Sequence, residues 1–333
     1  MRKSLFMLIC VLGTCGAFAQ DPLFSQYYQA PLFLNPGFTG LTPRQRFVVN
    51  HRIQWPGMPQ AFATYAGSYD TYLPGISSGI GVMFTSDRMG SMNWRSNTVQ
   101  LLYSYKVRIN EELVFSPGIS FGYGSNGLDR SKLKMGEVLQ YGGSIMDPTI
   151  NRLTNSQYMD FGSGFLLYSK KIWLGASFAH MNRPRLSAFG ETDRLDMKTT
   201  IHAGVKLEVA SMAREVYFTP SFIYRMQGKN FSQLDAGVNF QADPISLGIW
   251  YRGKPFAKNI TNTIDQDALI LYLGTHFKNL TAGYSYDFTI SSLGPGTGGA
   301  HELSIIYELP SKKRFNKRKL IPCPTFYKSP GMN

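Results

Sequence analysis

Cysteine is almost missing from this chain of 333 residues, which has three: Cys10, Cys15 and Cys323. Two of them fall in an N-terminal leader, so neither a disulfide framework nor a Cys-rich metal site can be built within one mature chain. Cys323, alone in the C-terminal tail, can stay an idle thiol or pair with another chain. Long apolar runs are also missing. Beyond the leader, no stretch reaches the roughly 18 apolar residues that a membrane-crossing helix needs, which excludes a helical membrane protein. Catalytic signatures are lacking as well. His51, His180, His202, His276 and His301 are scattered, with no pair at zinc-ligand spacing. No G-x-S-x-G elbow or G-x-x-x-x-G-K-[ST] phosphate loop occurs. Gly79-Ile80-Gly81 and Gly294-Pro295-Gly296 read as strand and turn glycines, because no helix pattern follows them. Asp287, His301 and Glu302 invite inspection as a catalytic group, but strand alternation puts His301 and Glu302 on opposite faces. The chain is expected not to be an enzyme, with no cofactor and no metal.

Acidic residues are few: 21 against 34 basic ones, a formal charge of +13. Part of the excess is local, because Lys312, Lys313, Arg314, Lys317, Arg318 and Lys319 crowd one short segment. In a cytosolic protein such a run would point to nucleic acid. This chain opens instead with Arg2-Lys3, an apolar run from Leu5 to Leu12, and Ala17-Phe18-Ala19 as a small-x-small cleavage site. Residues 1–19 therefore read as a secretion signal, with the mature chain starting near Gln20. Lipidation at Cys15 fits poorly, since Gly13-Thr14 precedes it. No nucleic-acid partner is expected for an exported chain. Its basic tail, residues 311–333, faces anionic lipid or an acidic protein surface.

What the sequence does have is 33 Gly, 23 Phe and 19 Tyr, arranged with period two. Leu280, Ala282, Tyr284, Tyr286, Phe288 and Ile290 alternate with Thr281, Gly283, Ser285, Asp287 and Thr289. The same pattern runs through Leu113–Tyr123, Leu234–Phe240 and Glu302–Leu309. About fourteen such segments of roughly ten residues fill residues 45–310, and ten residues suffice for a tilted strand to cross a bilayer. A soluble sandwich could use this alternation too. Connection lengths favour a barrel: counting from a first strand near Arg46, the even connections are tight (Ile109-Asn110-Glu111, Ser169-Lys170-Lys171, Ala242-Asp243-Pro244, Lys278-Asn279). Long ones fall at odd positions, namely Ser125–Gln157, Asn182–Asp196, Gly253–Gln266 and Ser291–Gly298. Short periplasmic turns, longer outer loops and both termini in the periplasm are the rule for outer-membrane barrels. The set expected to face inward contains Gly, Ser, Thr and Asn with Lys106, Arg108, Arg225 and Glu302, which a soluble core would reject. Trp55, Tyr72, Trp94 and Tyr158 near strand ends would suit interfacial girdles. The expected fold is all-β, an antiparallel transmembrane barrel of about 14 strands with periplasmic ends.

The segment 20–44 is the anomaly. QDPLFSQYYQAPLFLNPGFTG is apolar and aromatic where a mature end is usually polar and loose. Its candidate contact residues are Phe24, Gln26, Tyr27, Phe33, Leu34, Asn35 and Pro36. They can plug a lumen, seal its periplasmic mouth, or lie on the membrane. The prolines, Gln26 and Asn35 break the amphipathic helix that the last option needs. Exposed and unpacked, the same residues would form a partner-binding surface.

Asp21-Pro22-Leu23-Phe24-Ser25-Gln26-Tyr27 and Pro31–Gly40 resemble the start of PorP/SprF proteins, with Gly37 at a position where Ala is more usual. Ser292-Leu293-Gly294, Gly298–Ser304 and the Ile321-Pro322-Cys323-Pro324 tail are similar to that family's last hairpin and ending. The resemblance implies an outer-membrane barrel of the type IX secretion system that supports export or surface attachment of a large cargo protein, such as a gliding adhesin. Implied partners are a cargo with a type IX C-terminal sorting domain, periplasmic ring or other secretion components, and outer-membrane lipid. It implies no catalytic residue. A solute channel or hydrophobic-compound transporter would show the same alternation.

Overall fold

A computed structural model describes residues 21–58, 61–90, 94–128, 155–186, 194–209, 216–228, 231–258, 264–309 and 323. The signal segment and the six clustered basic residues, Lys312 to Lys319, lie outside the described residues. The described residues form fourteen antiparallel strands closed into a ring. These are β1 (Gln45–Gln54), β2 (Phe62–Leu73), β3 (Ser78–Met89), β4 (Trp94–Tyr105, continued by Val107–Arg108), β5 (Val114–Leu128), β6 (Ser156–Tyr168) and β7 (Ile172–Ala179). There follow β8 (Lys198–Val205, continued by Leu207–Val209), β9 (Val216–Gln227), β10 (Phe231–Ala242), β11 (Ile245–Lys258), β12 (Ile264–Phe277), β13 (Leu280–Thr289) and β14 (Ala300–Leu309). Each pairs with its sequence neighbours, and β14 returns to β1, from Gln45 opposite Leu309 to Gln54 opposite Ala300. Closure leaves no free strand edge, the condition for a sheet to stand in hydrocarbon.

The two interrupted strands break at lysines. Lys106 turns its amine 2.8 Å from Ser116 Oγ, and Lys206 holds its amine over the Tyr217 ring at 4.0 Å. β1 starts and β14 finishes at the same end of the barrel, together with the even-numbered connections, none longer than residues 210–215. We call this the turn end and the opposite one the loop end. The longest connections, 129–155 and 180–197, lie at the loop end. The expected loop at Gly253–Gln266 is much shorter, because β11 runs on to Lys258 through two register shifts. Such bulges break the period-two pattern and hide the strand from it.

Alternation sorts the faces as the sequence indicates. Outward stand Leu303, Ile305 and Tyr307, or Ile119, Phe121 and Tyr123, all exposed. Inward stand Glu302, Ser304 and Glu308, or Ser116 and Ser104, all buried. Three expectations differ. Tyr158 faces inward, packed with Leu186 and Leu195, rather than joining a girdle. Tyr72 and Trp94 also share the inward phase, that of Asp70 and Leu102. Arg108 is exposed, its guanidinium bonded to the Asn110 and Glu111 carbonyls of the adjoining turn. Its head is more cheaply solvated at the rim than buried inside.

Candidate functional site

Residues 21–44 lie inside the barrel. Three proline- and aromatic-rich turns carry them, Tyr27–Gln29, Pro31–Leu34 and Pro36–Phe38, each too short to satisfy its own backbone. Strand side chains complete the hydrogen bonding. Ser177 Oγ donates to the Leu34 carbonyl, Ser116 Oγ to Gly37 and Ser104 Oγ to Thr39, each at 2.7 Å. Lys106 Nζ adds a second donor to the Gly37 carbonyl at 3.1 Å. The small inward residues that make the strands look featureless therefore supply donors to the segment.

Close approach is made by glycine. A Cβ on Gly79 of β3 would lie 2.1 Å from the Thr39 carbonyl oxygen, and one on Gly118 of β5 would lie 2.5 Å from the Pro36 carbonyl carbon. Real Cβ atoms do not sit so near, so these strand positions need the absence of a side chain for the segment to lie where it does.

The candidate residues other than Gln26 fall into three groups. Tyr27, Leu34 and the neighbouring Tyr28 join one apolar cluster with Phe38, Leu41, Leu166, Ile223, Trp250 and Tyr272. Tyr27 meets Trp250 edge-on with ring centres 4.9 Å apart, and Tyr28 meets Tyr272 at 5.0 Å. Phe24 and Phe33 pack edge-on at 5.0 Å on a second patch with Ala30 and Ala66. Asn35, wholly buried, is a polar anchor: its amide donates to the carbonyls of Phe165 (2.9 Å) and Ala176 (3.1 Å) and lies 3.0 Å from His202 Nε2. Its Oδ1 accepts the Gly37 N–H at 2.8 Å, which sets the turn that begins at Pro36.

Ser25 and Gln26 meet the most polar part of the wall. Six inward charges from six strands alternate in sign: Arg225–Asp235 (2.6 Å), Asp235–Arg252 (3.1 Å), Arg252–Asp287 (3.0 Å), Asp287–Arg52 (2.8 Å) and Arg52–Glu302 (3.3 Å). All are buried, and their formal charges cancel. Ser25 Oγ sits among them, accepting from Arg52 (2.6 Å) and Arg252 (2.9 Å) while donating to Asp287 (2.7 Å). The Glu302 carboxylate accepts the Ser25 N–H at 2.7 Å and the Gln26 N–H at 3.0 Å. Gln26 donates its amide to Ser285 Oγ and the Glu302 carbonyl, and Gln29 bonds to Tyr272 and Ser304. Buried ion pairs are weak evidence for stability, but removing one partner from such a set is costly. The ladder is therefore suited to fixing one position of the segment.

At the loop end, Asp21 lies 2.8 Å from His180 Nε2 and 3.3 Å from Lys198, while His180 Nδ1 lies 2.9 Å from Asp160. Burial pushes the Asp21 carboxyl up, but His180 and Lys198 outweigh it and hold it well below the usual range. Burial likewise pushes His180 down, and Asp21 and Asp160 bring it up to about 10. At the turn end the Gly40 N–H bonds to Asp70 at 2.8 Å, beside the buried Arg46–Asp70 pair. The segment thus runs most of the length of the lumen. Cys323 is buried in the same apolar cluster as Leu41 and Tyr168, so its thiol, pushed up by burial, is not presented to another chain. Among the described residues, no group of His, Cys, Asp and Glu is placed to hold a metal ion.

Sequence reasoning marked most of the segment's contact residues and placed Arg225 and Glu302 inward, but it missed Ser25, Asp21 and the pairing of the inward charges with the segment. Period-two strands place Arg52, Asp235, Arg252, Asp287 and Glu302 inward, and inward charges of both signs were the available signal.

No curated protein matches the chain. Among solved structures, it is similar to the P. putida toluene transporter TodX, at 11% identity over 86% of this chain and 95% of that one, with a TM-score of 0.49. It is also similar to the KdgM porin, at 7% identity over 80% and 99%, TM-score 0.39, and to a mutant Rh. blastica porin, at 8% over 80% and 99%, TM-score 0.34. In sequence, residues 17–307 match the family described as type IX secretion system membrane protein PorP/SprF. A closed barrel with an apolar outside and an inside built around the segment's own motif carries that match over nearly its whole length, and the chain belongs to the PorP/SprF family of type IX secretion system membrane proteins.

Proposed function

We propose that this protein is a sealed, non-enzymatic barrel that supports type IX secretion or surface attachment of one large cargo protein, such as an adhesin with a C-terminal sorting domain. The turn end, with both ends of the barrel wall, faces the periplasm, and the loop end faces outward, as barrels with short and long connections are arranged. Residues 20–44 are the plug. The observation that carries this reading is the Ser25–Gln26 clasp on the charge ladder, since a solute channel has no use for a lumen whose polar groups are consumed by its own chain. With the lumen occupied, contacts to cargo fall to the loop end, above all to the connection 129–155, and contacts to the secretion machine fall to the periplasmic end. The basic residues Lys312, Lys313, Arg314, Lys317, Arg318 and Lys319, outside the described residues, are the candidate docking charges there.

Two measurements test the reading. The wild-type protein in a planar bilayer should hold no steady conductance; a constant open level would sink the seal and favour the solute-channel or hydrophobic-compound alternative. Deleting residues 129–142 should abolish cargo display while the barrel still assembles. Unchanged display would remove the loop from the cargo contact.

A further inference from the structure

The N-terminal segment does not fill the lumen evenly. Between its Leu32–Pro36 part and the wall from β3 to β8 lies a cavity of about 100 Å³, which extends from the barrel middle toward the loop end. Its lining is graded. The floor is apolar, with Leu32, Met83 and Leu102 packed together. Gln100, opposite Met83, and then the facing pair Thr85 and Thr98 make the middle rows. Asp87, opposite Ser96, stands uppermost, level with the Asp21, His180 and Lys198 group at the loop end.

Two groups in this lining lack what their burial calls for. Asp87 is buried and its Oδ1 accepts from Thr64 Oγ1, but among the described residues no arginine, lysine or histidine pairs with it. Asp70, Asp160, Asp235, Asp287 and Glu302, buried likewise, each lie beside an arginine or a histidine. Thr85 is buried as well, and its hydroxyl has no hydrogen-bond partner among the described residues. Both carry a desolvation cost that nothing in the wall offsets. The neighbouring charges do not remove it: Asp21 and Asp160 balance His180 and Lys198, so Asp87 is a negative charge in excess.

We infer that this cavity is a binding site for a small aliphatic ammonium ion. The ammonium donates to the second Asp87 carboxylate oxygen and to Thr85 Oγ1, and the alkyl tail lies inward on Leu32, Met83 and Leu102. Size limits the ligand. A cavity of roughly 150 Å³ takes a six-atom ring, so this one accepts a chain of about four or five heavy atoms, as in butylammonium. It is well short of the roughly 300 Å³ at which drug-sized ligands begin to fit, which excludes a nucleotide or a disaccharide. The gradient sets the direction. A lysine side chain arriving from the loop end would lead with its charge and press it on the apolar floor, whereas a free amine enters tail first. The proposal requires the docked segment and is independent of any role in secretion.

The test is calorimetric titration of full-length protein in detergent, near pH 7, with n-butylammonium chloride, n-butanol of the same shape without the charge, and sodium chloride. Wild type should bind butylammonium saturably and about tenfold or more tightly than butanol. Asp87→Asn keeps an acceptor for Thr64 and loses the charge, so it should bind butylammonium about tenfold or more weakly. Heat-modifiable gel mobility verifies that each variant is folded. Thr85→Val, of the same shape, should weaken binding about fivefold and carries the test if Asp87→Asn does not fold. No saturable binding, equal binding of butanol, or undiminished binding in the two variants overturns the proposal. So does displacement of butylammonium by equimolar sodium, which would make this a metal-cation site. Equal affinity for Nα-acetyl-lysine amide overturns it too, because the occupant would then be a lysine side chain of a partner protein.

Discussion

Replacing Glu302 by Gln isolates the clasp, because the shape is kept and the charge is lost. The carboxylate accepts two backbone N–H groups, Ser25 at 2.7 Å and Gln26 at 3.0 Å, and pairs with Arg52 at 3.3 Å. A Gln amide has one acceptor oxygen and must turn its NH2 toward either a backbone N–H or the guanidinium. One buried donor is then left without a partner, which costs about 1–3 kcal/mol. Arg52 keeps Asp287 but loses its second carboxylate, so the total approaches the roughly 3–5 kcal/mol seen on breaking buried pairs. About 3 kcal/mol corresponds to roughly a hundredfold in the equilibrium between docked and undocked segment. Amide hydrogen exchange reads this directly. In E302Q the Ser25 and Gln26 amides should lose about a hundredfold protection, whereas amides of β5 and β6, on another part of the wall, should keep theirs. Unchanged exchange at Ser25 and Gln26 would show that the carboxylate does not hold the segment. An equal loss around the whole barrel would show that Glu302 stabilises the wall and not the clasp.

Gly118→Ala should push the Pro36 turn off β5 and destabilise the docked segment by about 1–3 kcal/mol, whereas Gly67→Ala, whose Cβ would meet nothing within 4 Å, should be neutral in the same urea titration. Asn35→Asp replaces a donor by an acceptor facing the Phe165 and Ala176 carbonyls, and should lower the urea midpoint by the equivalent of about 3 kcal/mol or more; an unchanged midpoint would refute the anchor. The Asp21–His180 clasp should depend on pH at both limits. Asp21, depressed in the folded protein, contributes above its ordinary value of 3.8 and less as pH falls further. His180, raised to about 10, contributes fully below its ordinary 6.5 and loses its contribution as pH rises through 10. Protease cleavage near Asp21 should therefore be slowest between about pH 4 and 6.5 and speed up towards pH 10, and the His180-dependent part of that alkaline rise should be lost in His180→Gln while the acid limb, which Lys198 also supports, remains.

The wall was legible in the sequence because a membrane barrel obeys one local rule. Each strand must turn apolar groups to lipid and polar groups inward, so Leu280–Thr289 and Glu302–Leu309 announce both their type and their faces. The rule fails where the strand does, at the bulges after Arg252, and it cannot tell an inward Tyr158 from a girdle tyrosine near the same strand end. The segment 21–44 was legible as an anomaly of composition only. Many of the contacts that hold its turns in place lie more than 100 residues away in sequence, such as Ser25 with Asp287 and Asn35 with Ala176, and no local pattern encodes them.

The same contacts explain why the motif and the wall have to be read together. Alone, an inward run of Arg52, Asp235, Arg252, Asp287 and Glu302 looks like a selectivity lining, and alone, an aromatic N-terminal stretch looks like a sticky surface. Joined, each removes the other's cost: the segment's unpaired backbone N–H groups find Glu302, and the ladder's charges find Ser25 where water would otherwise stand. Glycines at 79 and 118, unremarkable as strand residues, become the positions at which the wall makes room for the segment's backbone. A barrel that evolved to conduct would gain from keeping these groups hydrated. This one commits them to its own chain, and that leaves its rims and the cavity beside Asp87 as the parts free to meet something else.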